Sequence, residues 1–213
     1  MKHLVIIGTG SFAREVYSVA KGAIGYNIEW DIKGFIDGDV KSSIEDYEKL
    51  LVPVWGDVYN YNIEKDDVFC CAIGEPEIRR RIISIIESRG GEFISLIHES
   101  AYICDTAQLG NGVIVGVFTT IGDNAVIGNH VVFNSMVGIA HDAIIGDYTC
   151  MMTHVNITGY CIIGECTYWG SGSRILPKGK VGNNSFIGAG SVVLKKVKAN
   201  KKVFGVPAVE IPF

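Results

Sequence analysis

Ile139-Ala140-His141-Asp142-Ala143-Ile144-Ile145-Gly146-Asp147-Tyr148-Thr149-Cys150 is the stretch whose reading decides the fold. A large aliphatic residue, Ile139, recurs six positions on as Ile145, and the residue four after each is small, Ala143 and Thr149. Stepping by six in both directions gives Ile103, Leu109, Val115, Ile121, Ile127, Phe133, Ile139, Ile145, Met151, Ile157, Ile163, Trp169, Ile175, Val181, Ile187 and Val193. In a chain that is 48% hydrophobic, sixteen such matches in a row arise by chance about once in 10⁵. The next residue is usually glycine, as at 110, 116, 122, 128, 146, 164, 170, 182 and 188. A helix repeats at 3.6 residues and a strand at 2, so neither gives a period of six.

The physical solution is a coil of three short strands, six residues per side, closing into a triangular prism. The large residue fills the interior, the small one tucks in beside it, and the glycine is expected to permit the corner backbone. Sixteen hexads make about five coils of eighteen residues. The first hundred residues follow another pattern. Short apolar runs (Leu4 to Ile7, Lys33 to Ile36, Val52 to Trp55, Val68 to Ile73, Phe93 to Ile97) alternate with helical stretches at Phe12 to Lys21 and Pro76 to Ser88. That alternation predicts a small parallel α/β sheet. Two domains are expected, 1–98 and 99–213.

Composition excludes several classes. The 213 residues carry a net charge of −4, so no overall basic field exists to hold nucleic acid. The apolar content excludes disorder, and no apolar run reaches the ~18 residues of a membrane span. The start lacks a signal-peptide layout, and the six cysteines show neither a disulfide framework nor a CxxC pair. A reduced, cytoplasmic protein is the expectation. Charge is unevenly placed: residues 101–173 contain no lysine or arginine, whereas Arg174, Lys178, Lys180, Lys195, Lys196, Lys198, Lys201 and Lys202 crowd the end without an intervening acid. Such a cluster is either a solvated cap or a polyanion site, and coenzyme A suits the second reading.

Gly8-Thr9-Gly10-Ser11-Phe12-Ala13 follows a strand, opens a helix and fits G-x-G-x-x-[GA], with Asp37 at the end of the next strand. Backbone amides at the helix start would bind phosphate and the acid would accept a ribose or base donor. The domain is too short for two mononucleotide halves, which favours a mononucleotide or sugar nucleotide over NAD. A tight glycine turn without a ligand is the plainer alternative.

The segments GTGSFAREV (8–16), GFIDGD (34–39), AIGEPEIRRRI (72–82) and LIHESAYI (96–103), followed by the six-residue repeats, resemble one family. It is the bacterial nucleotide-sugar N-acetyltransferases of the hexapeptide-repeat type, which includes UDP-4-amino-sugar and GDP-perosamine enzymes and is related to sialic acid O-acetyltransferases. The resemblance spans Lys2 to about Ile211. It implies an α/β Rossmann-like half domain followed by a left-handed parallel β-helix, a homotrimer, acetyl-CoA as cosubstrate, no metal, and a role in surface-polysaccharide precursors. It places the catalytic base at His141 with Asp142 behind it, and the oxyanion donor at the Gly159 N–H. Acetyl-CoA would lie along Cys150, Gly170, Ser171, Gly188 and Ala189, with Lys195, Gly205 and Pro207 toward its nucleotide end. Gly8, Gly10, Ser11 and Asp37 would hold the sugar nucleotide.

The residues support part of this independently. His141 and Asp142 occupy hexad positions three and four, neither of which faces inward, so the imidazole should project from a corner. Neutral imidazole can take a proton from an attacking amine near pH 7. His130 reads as an isolated outward residue, His154 as outward without an adjacent acid, His98 as a junction residue and His3 as the start of a strand. Other readings stay open: Cys150 as a nucleophile, a metal-dependent hydratase, O-acetylation of a sialic-acid-like sugar, or a non-catalytic sugar-nucleotide scaffold.

Overall fold

In a computed structural model, residues 1–38 and 50–211 are described. The chain divides into two compact units, Met1–Glu99 and Ser100–Phe213.

In the first unit the elements run β1 (Lys2–Ile7), α1 (Ser11–Lys21), β2 (Trp30–Asp37), β3 (Val54–Asp57), β4 (Asp67–Cys71), α2 (Pro76–Ser88) and β5 (Glu92–Phe93). All pair in parallel, in the order β3-β2-β1-β4-β5. Central parallel strands are covered on both faces and therefore read as unbroken apolar runs. Leu4, Val5, Ile6 and Ile7 are accordingly all fully buried. Helix α1 turns Ala13, Val16 and Ala20 inward at helical spacing, and α2 starts on Pro76, whose missing N–H costs nothing in the first turn. β2 is longer than its apolar stretch suggests because it carries a bulge. Leu4 pairs with Ile32 and Val5 with Gly34, leaving Lys33 as the extra residue.

The bulge sends the Lys33 ammonium to Asp67 and Glu64, each at 2.8 Å. Asp67, its side chain fully buried, also accepts from the Tyr61 hydroxyl at 2.7 Å and the Glu64 N–H at 2.9 Å. Burial alone would raise the Asp67 pKa, but these donors together outweigh it and hold the carboxyl below its usual range. Burial and the bond to Asp67 push the Tyr61 hydroxyl up to about 12.

The second unit is a three-sided parallel β-solenoid, as the six-residue period predicts. Its two-residue strands stack into three sheets, each strand on the equivalent one of the next coil. Thr120 pairs with Gly138, Val126 with Ile144, and Val132 with Cys150. The interior column (Ile121, Phe133, Met151, Ile157, Trp169, Ile175 and Ile187) is fully buried. The small fifth-position residues are buried beside it, and their hydroxyls are satisfied: Thr119 donates to the Asn134 carbonyl at 2.8 Å and Ser173 to that of Gly170 at 2.7 Å. Stacking continues past Val193, but the last coil is two residues shorter, so that Val181 pairs with Val197 and Ile187 with Val203. Val209–Glu210 then folds back antiparallel on Lys202–Phe204.

One expectation is corrected here. The glycines after each large residue do not supply the corner conformation. The left-handed backbone sits two positions later, at Asn124 (φ 55°), Asp142 (φ 56°), Tyr160 (φ 60°) and their equivalents. The glycines are needed because coils stack too closely for a side chain. A Cβ on Gly146 would lie 2.6 Å from the Glu165 nitrogen, and one on Gly170 2.5 Å from that of Ala189.

Candidate active site

His141 is the third residue of its hexad, where the chain has left the sheet Gly138–Ile139 and not yet turned the corner. Its side chain is 57% exposed. The next residue, Asp142, takes the left-handed corner conformation, and its carboxylate reaches back to accept from His141 Nδ1 at 2.8 Å. An ionised carboxylate can only accept, so in the neutral imidazole the contact selects the tautomer with the proton on Nδ1 and the lone pair on Nε2. Eighteen residues on, Gly159 occupies the equivalent place in the following coil. A Cβ there would fall 2.8 Å from both Cε1 and Nε2 of His141, so the imidazole lies directly on a bare glycine backbone. Gly159 accepts the Lys178 N–H through its carbonyl, while its own N–H donates to no acceptor among the described residues. The arrangement therefore sets an imidazole nitrogen that can accept a proton beside a backbone N–H that can donate.

The remaining histidines stand elsewhere. His130 is a correction: it is buried rather than outward-facing, stacked on Tyr148 with ring centroids 5.3 Å apart, because corner residues of successive coils lie over one another. His154 is exposed, and His3 is tied to Asp31 at 2.7 Å. Cys150 lies fully buried in the strand between Val132 and Tyr168.

Along another corner Ser171 and Ala189 are exposed one coil apart, beside Gly172 and Gly190. Both glycines have positive φ, and no atom would meet a Cβ on either. Gly170 and Gly188 are buried against the coils that follow them. The corner is thus a bare strip at its C-terminal coils, whereas Phe118 and Met136 project at the equivalent places earlier. The strip's two glycines escaped notice in the sequence because they fall at the corner position, not at the repeat glycine. Near the end of the solenoid a cavity of about 820 Å³ is lined by Lys195, Lys196, Lys198 and Lys201 with Leu176 and Pro207. Gly205 is close by, its N–H bonded to Ser191 Oγ at 3.1 Å.

In the first unit Gly8, Gly10, Ser11 and Asp37 share one cavity of about 340 Å³. It sits where the chain leaves β1 toward β2 but leaves β4 toward β5, the strand-order reversal at which parallel sheets open a crevice. Thr9 donates to Asp37 at 3.0 Å, and Gly8 adopts φ 112° with Ala72 O 3.0 Å from where a Cβ would stand. The opposite wall, Ala72 to Glu75 and Ile78, was not singled out from the sequence. Its signal was the AIGEP segment, a glycine between a buried strand and a helix start. Among the described residues no group of three or more His, Cys, Asp or Glu could hold a metal. No helix there is long and apolar enough to cross a membrane.

Residues 3–86 match the PglD N-terminal domain. The PglD-type unit leads into a solenoid, and the whole chain has solved structural counterparts. PerB from Caulobacter crescentus, determined with CoA and GDP-perosamine, superposes with a TM-score of 0.87 at 25% identity, over 100% of this chain and 98% of that one. The acetyltransferase domain of PglB from Neisseria gonorrhoeae, determined with acetyl coenzyme A, gives 0.85 at 23% identity over 99% of each chain. WeeI from Acinetobacter baumannii gives 0.84 at 22%, over 99% and 100%. No curated protein matches by sequence. By fold the chain is similar to these solved bacterial acetyltransferases, with the α/β half domain and parallel β-solenoid expected from its sequence.

Proposed function

We propose that this chain is an acetyl-CoA-dependent N-acetyltransferase acting on an amino sugar carried by a nucleotide. The observation that carries the reading is the His141 imidazole, held at Nδ1 by Asp142 and lying on Gly159. The likeness to proteins solved with acetyl coenzyme A, and with CoA and GDP-perosamine, supports the two substrates.

The sugar amine attacks the thioester carbonyl carbon while His141 Nε2 takes its proton. Asp142 stabilises the imidazolium so formed, and the Gly159 N–H donates to the developing oxyanion. Collapse of the tetrahedral intermediate breaks the carbon–sulfur bond, and the imidazolium returns the proton to the departing thiolate. The products are the N-acetyl sugar and CoA, with no covalent enzyme intermediate, which the burial of Cys150 supports. The bare strip of Ser171, Gly172, Ala189 and Gly190 suits the slender pantetheine arm, and the lysine-lined cavity suits the phosphates. The glycine loop and Asp37 take the nucleotide. A homotrimer belongs to the same proposal, supported by an exposed apolar stripe of Val126, Ile144 and Ile162 in register on one solenoid face.

The test is thiol release from acetyl-CoA across a panel of UDP- and GDP-linked amino sugars and their hydroxyl analogues. Turnover with an amino sugar, lowered more than about tenfold in kcat/KM by His141→Ala, is the expected result. Turnover only with hydroxyl acceptors, or a His141→Ala variant within that factor of wild type, would overturn it.

A further inference from the structure

We infer that Tyr160 is a positioning residue that acts through His141. The inference rests on the reading of His141 as the base.

A side chain that is 57% exposed and held by one hydrogen bond is poorly fixed. The Asp142 carboxylate sets the tautomer, but a single contact at Nδ1 leaves the ring free to swing about it. Water competes for that contact at the surface. Gly159 supplies a floor but, having no side chain, no wall. The wall comes from Tyr160. Its ring meets that of His141 edge to face, with centroids 5.1 Å apart and planes at 86°, the geometry that aromatic quadrupoles favour. Tyr160 is placed to do this by the eighteen-residue stacking. It occupies in the next coil the corner that Asp142 occupies in this one, and its backbone N–H donates to the His141 carbonyl at 3.2 Å. Backbone and side chain of Tyr160 thus both engage the same histidine, one coil from its own.

Burial does not explain the choice of residue, because Tyr160 is 53% exposed. No partner stands at its hydroxyl among the described residues, so the aromatic ring, not the oxygen, is the part in use. Ring, carboxylate and glycine floor bound the imidazole on three sides and leave Nε2 in a fixed place. Base catalysis depends on such placement, since a small displacement of the accepting nitrogen costs rate without changing how tightly substrates bind.

The experiment compares Tyr160→Ala and Tyr160→Phe in the full-length protein, alone and combined with His141→Ala. Tyr160→Ala is expected to lower kcat about tenfold with KM for acetyl-CoA and for the amino sugar unchanged, and Tyr160→Phe to stay within about twofold. In the His141→Ala background Tyr160→Ala should cost nothing further, since a residue acting through another loses its effect once that one is gone. A second readout needs no turnover: with histidine-labelled protein, the His141 ring gives one narrow set of NMR signals in wild type and Tyr160→Phe, and broadened signals in Tyr160→Ala. Tyr160→Ala with wild-type kcat, a rise in KM instead of a fall in kcat, an equal loss in the His141→Ala background, or unchanged ring signals would each overturn the proposal. So would a Tyr160→Phe variant as slow as Tyr160→Ala. Full activity of His141→Ala overturns the base assignment itself, whereas an inert His141→Ala beside an unaffected Tyr160→Ala overturns this inference alone.

Discussion

At the scale of single residues the site depends on an absence. Gly159 carries no side chain because the imidazole of His141 occupies the place where one would be. The contact is with the end of an exposed ring and not with backbone, so a methyl group there displaces the ring without straining the coil. Gly159→Ala should therefore lower kcat/KM about tenfold or more while shifting Tm by no more than about 2 °C, checked by steady-state kinetics and thermal unfolding. An equal loss of Tm would mean that the glycine serves the fold. The outward direction of His141 and Asp142 was legible in the period of six, whereas their assignment to the site is what the family resemblance implies. Tyr160 was not legible: the eighteen-residue coil stacks it on Asp142, but the period does not say that its ring turns onto His141. His130 misled for the same reason: its position points outward, yet Tyr148 of the next coil covers it.

Among the elements, the solenoid strands are two residues long and are held by stacking more than by their own length. Gly146→Ala would press a Cβ to 2.6 Å from backbone atoms of the next coil, which cannot rotate away. A loss of about 1–3 kcal/mol is expected, in the range of other overpacked cores. Gly172→Ala, at φ 71° with open space around it, should cost only the conformational ~1 kcal/mol. Chemical denaturation of the two variants separates close approach from backbone conformation. The period alone cannot make this distinction, because it marks where the glycines recur and not what they would touch.

The sheet of the first unit carries a pH dependence. Asp67 has a lowered pKa in the fold, so its contribution is present above the unfolded value near 3.8 and is lost as pH falls through the folded value below it. Asp67→Asn should destabilise the protein by about 3 kcal/mol at pH 7 and flatten its stability profile as pH falls below 3.8. Lys33 is shifted upward, so its share persists until pH rises past the ordinary lysine value of 10.5. The bulge that brings Lys33 to Asp67 has no signal in the sequence, because one extra residue in a strand looks like a longer strand.

For the whole molecule, charge is separated along the sequence. No cation stands in residues 101–173, and the lysines gather around the cavity at the solenoid's end. Among the described residues, the cavity beside the glycine loop has no Lys, Arg or His in its lining, which offers phosphates backbone amides and helix starts. The two substrates should therefore respond differently to salt. Raising NaCl from about 0.05 to 0.5 M is expected to increase KM for acetyl-CoA about fivefold and KM for the sugar nucleotide about twofold or less. Lys195→Ala and Lys198→Ala should reduce the acetyl-CoA response, as measured by initial rates across salt concentrations. Equal responses would show that the lysines are a solvated cap.

Identical coils also make the solenoid a ruler. Each turn adds one strand spacing, about 4.8 Å, along the axis. One additional eighteen-residue repeat placed after Ile175 would leave His141 and Gly159 untouched and carry the cationic end one graduation farther away. An insertion of six would instead rotate everything downstream onto the adjacent side. The spacing from His141 to the lysines can therefore change only in whole turns if both are to keep their sides of the prism.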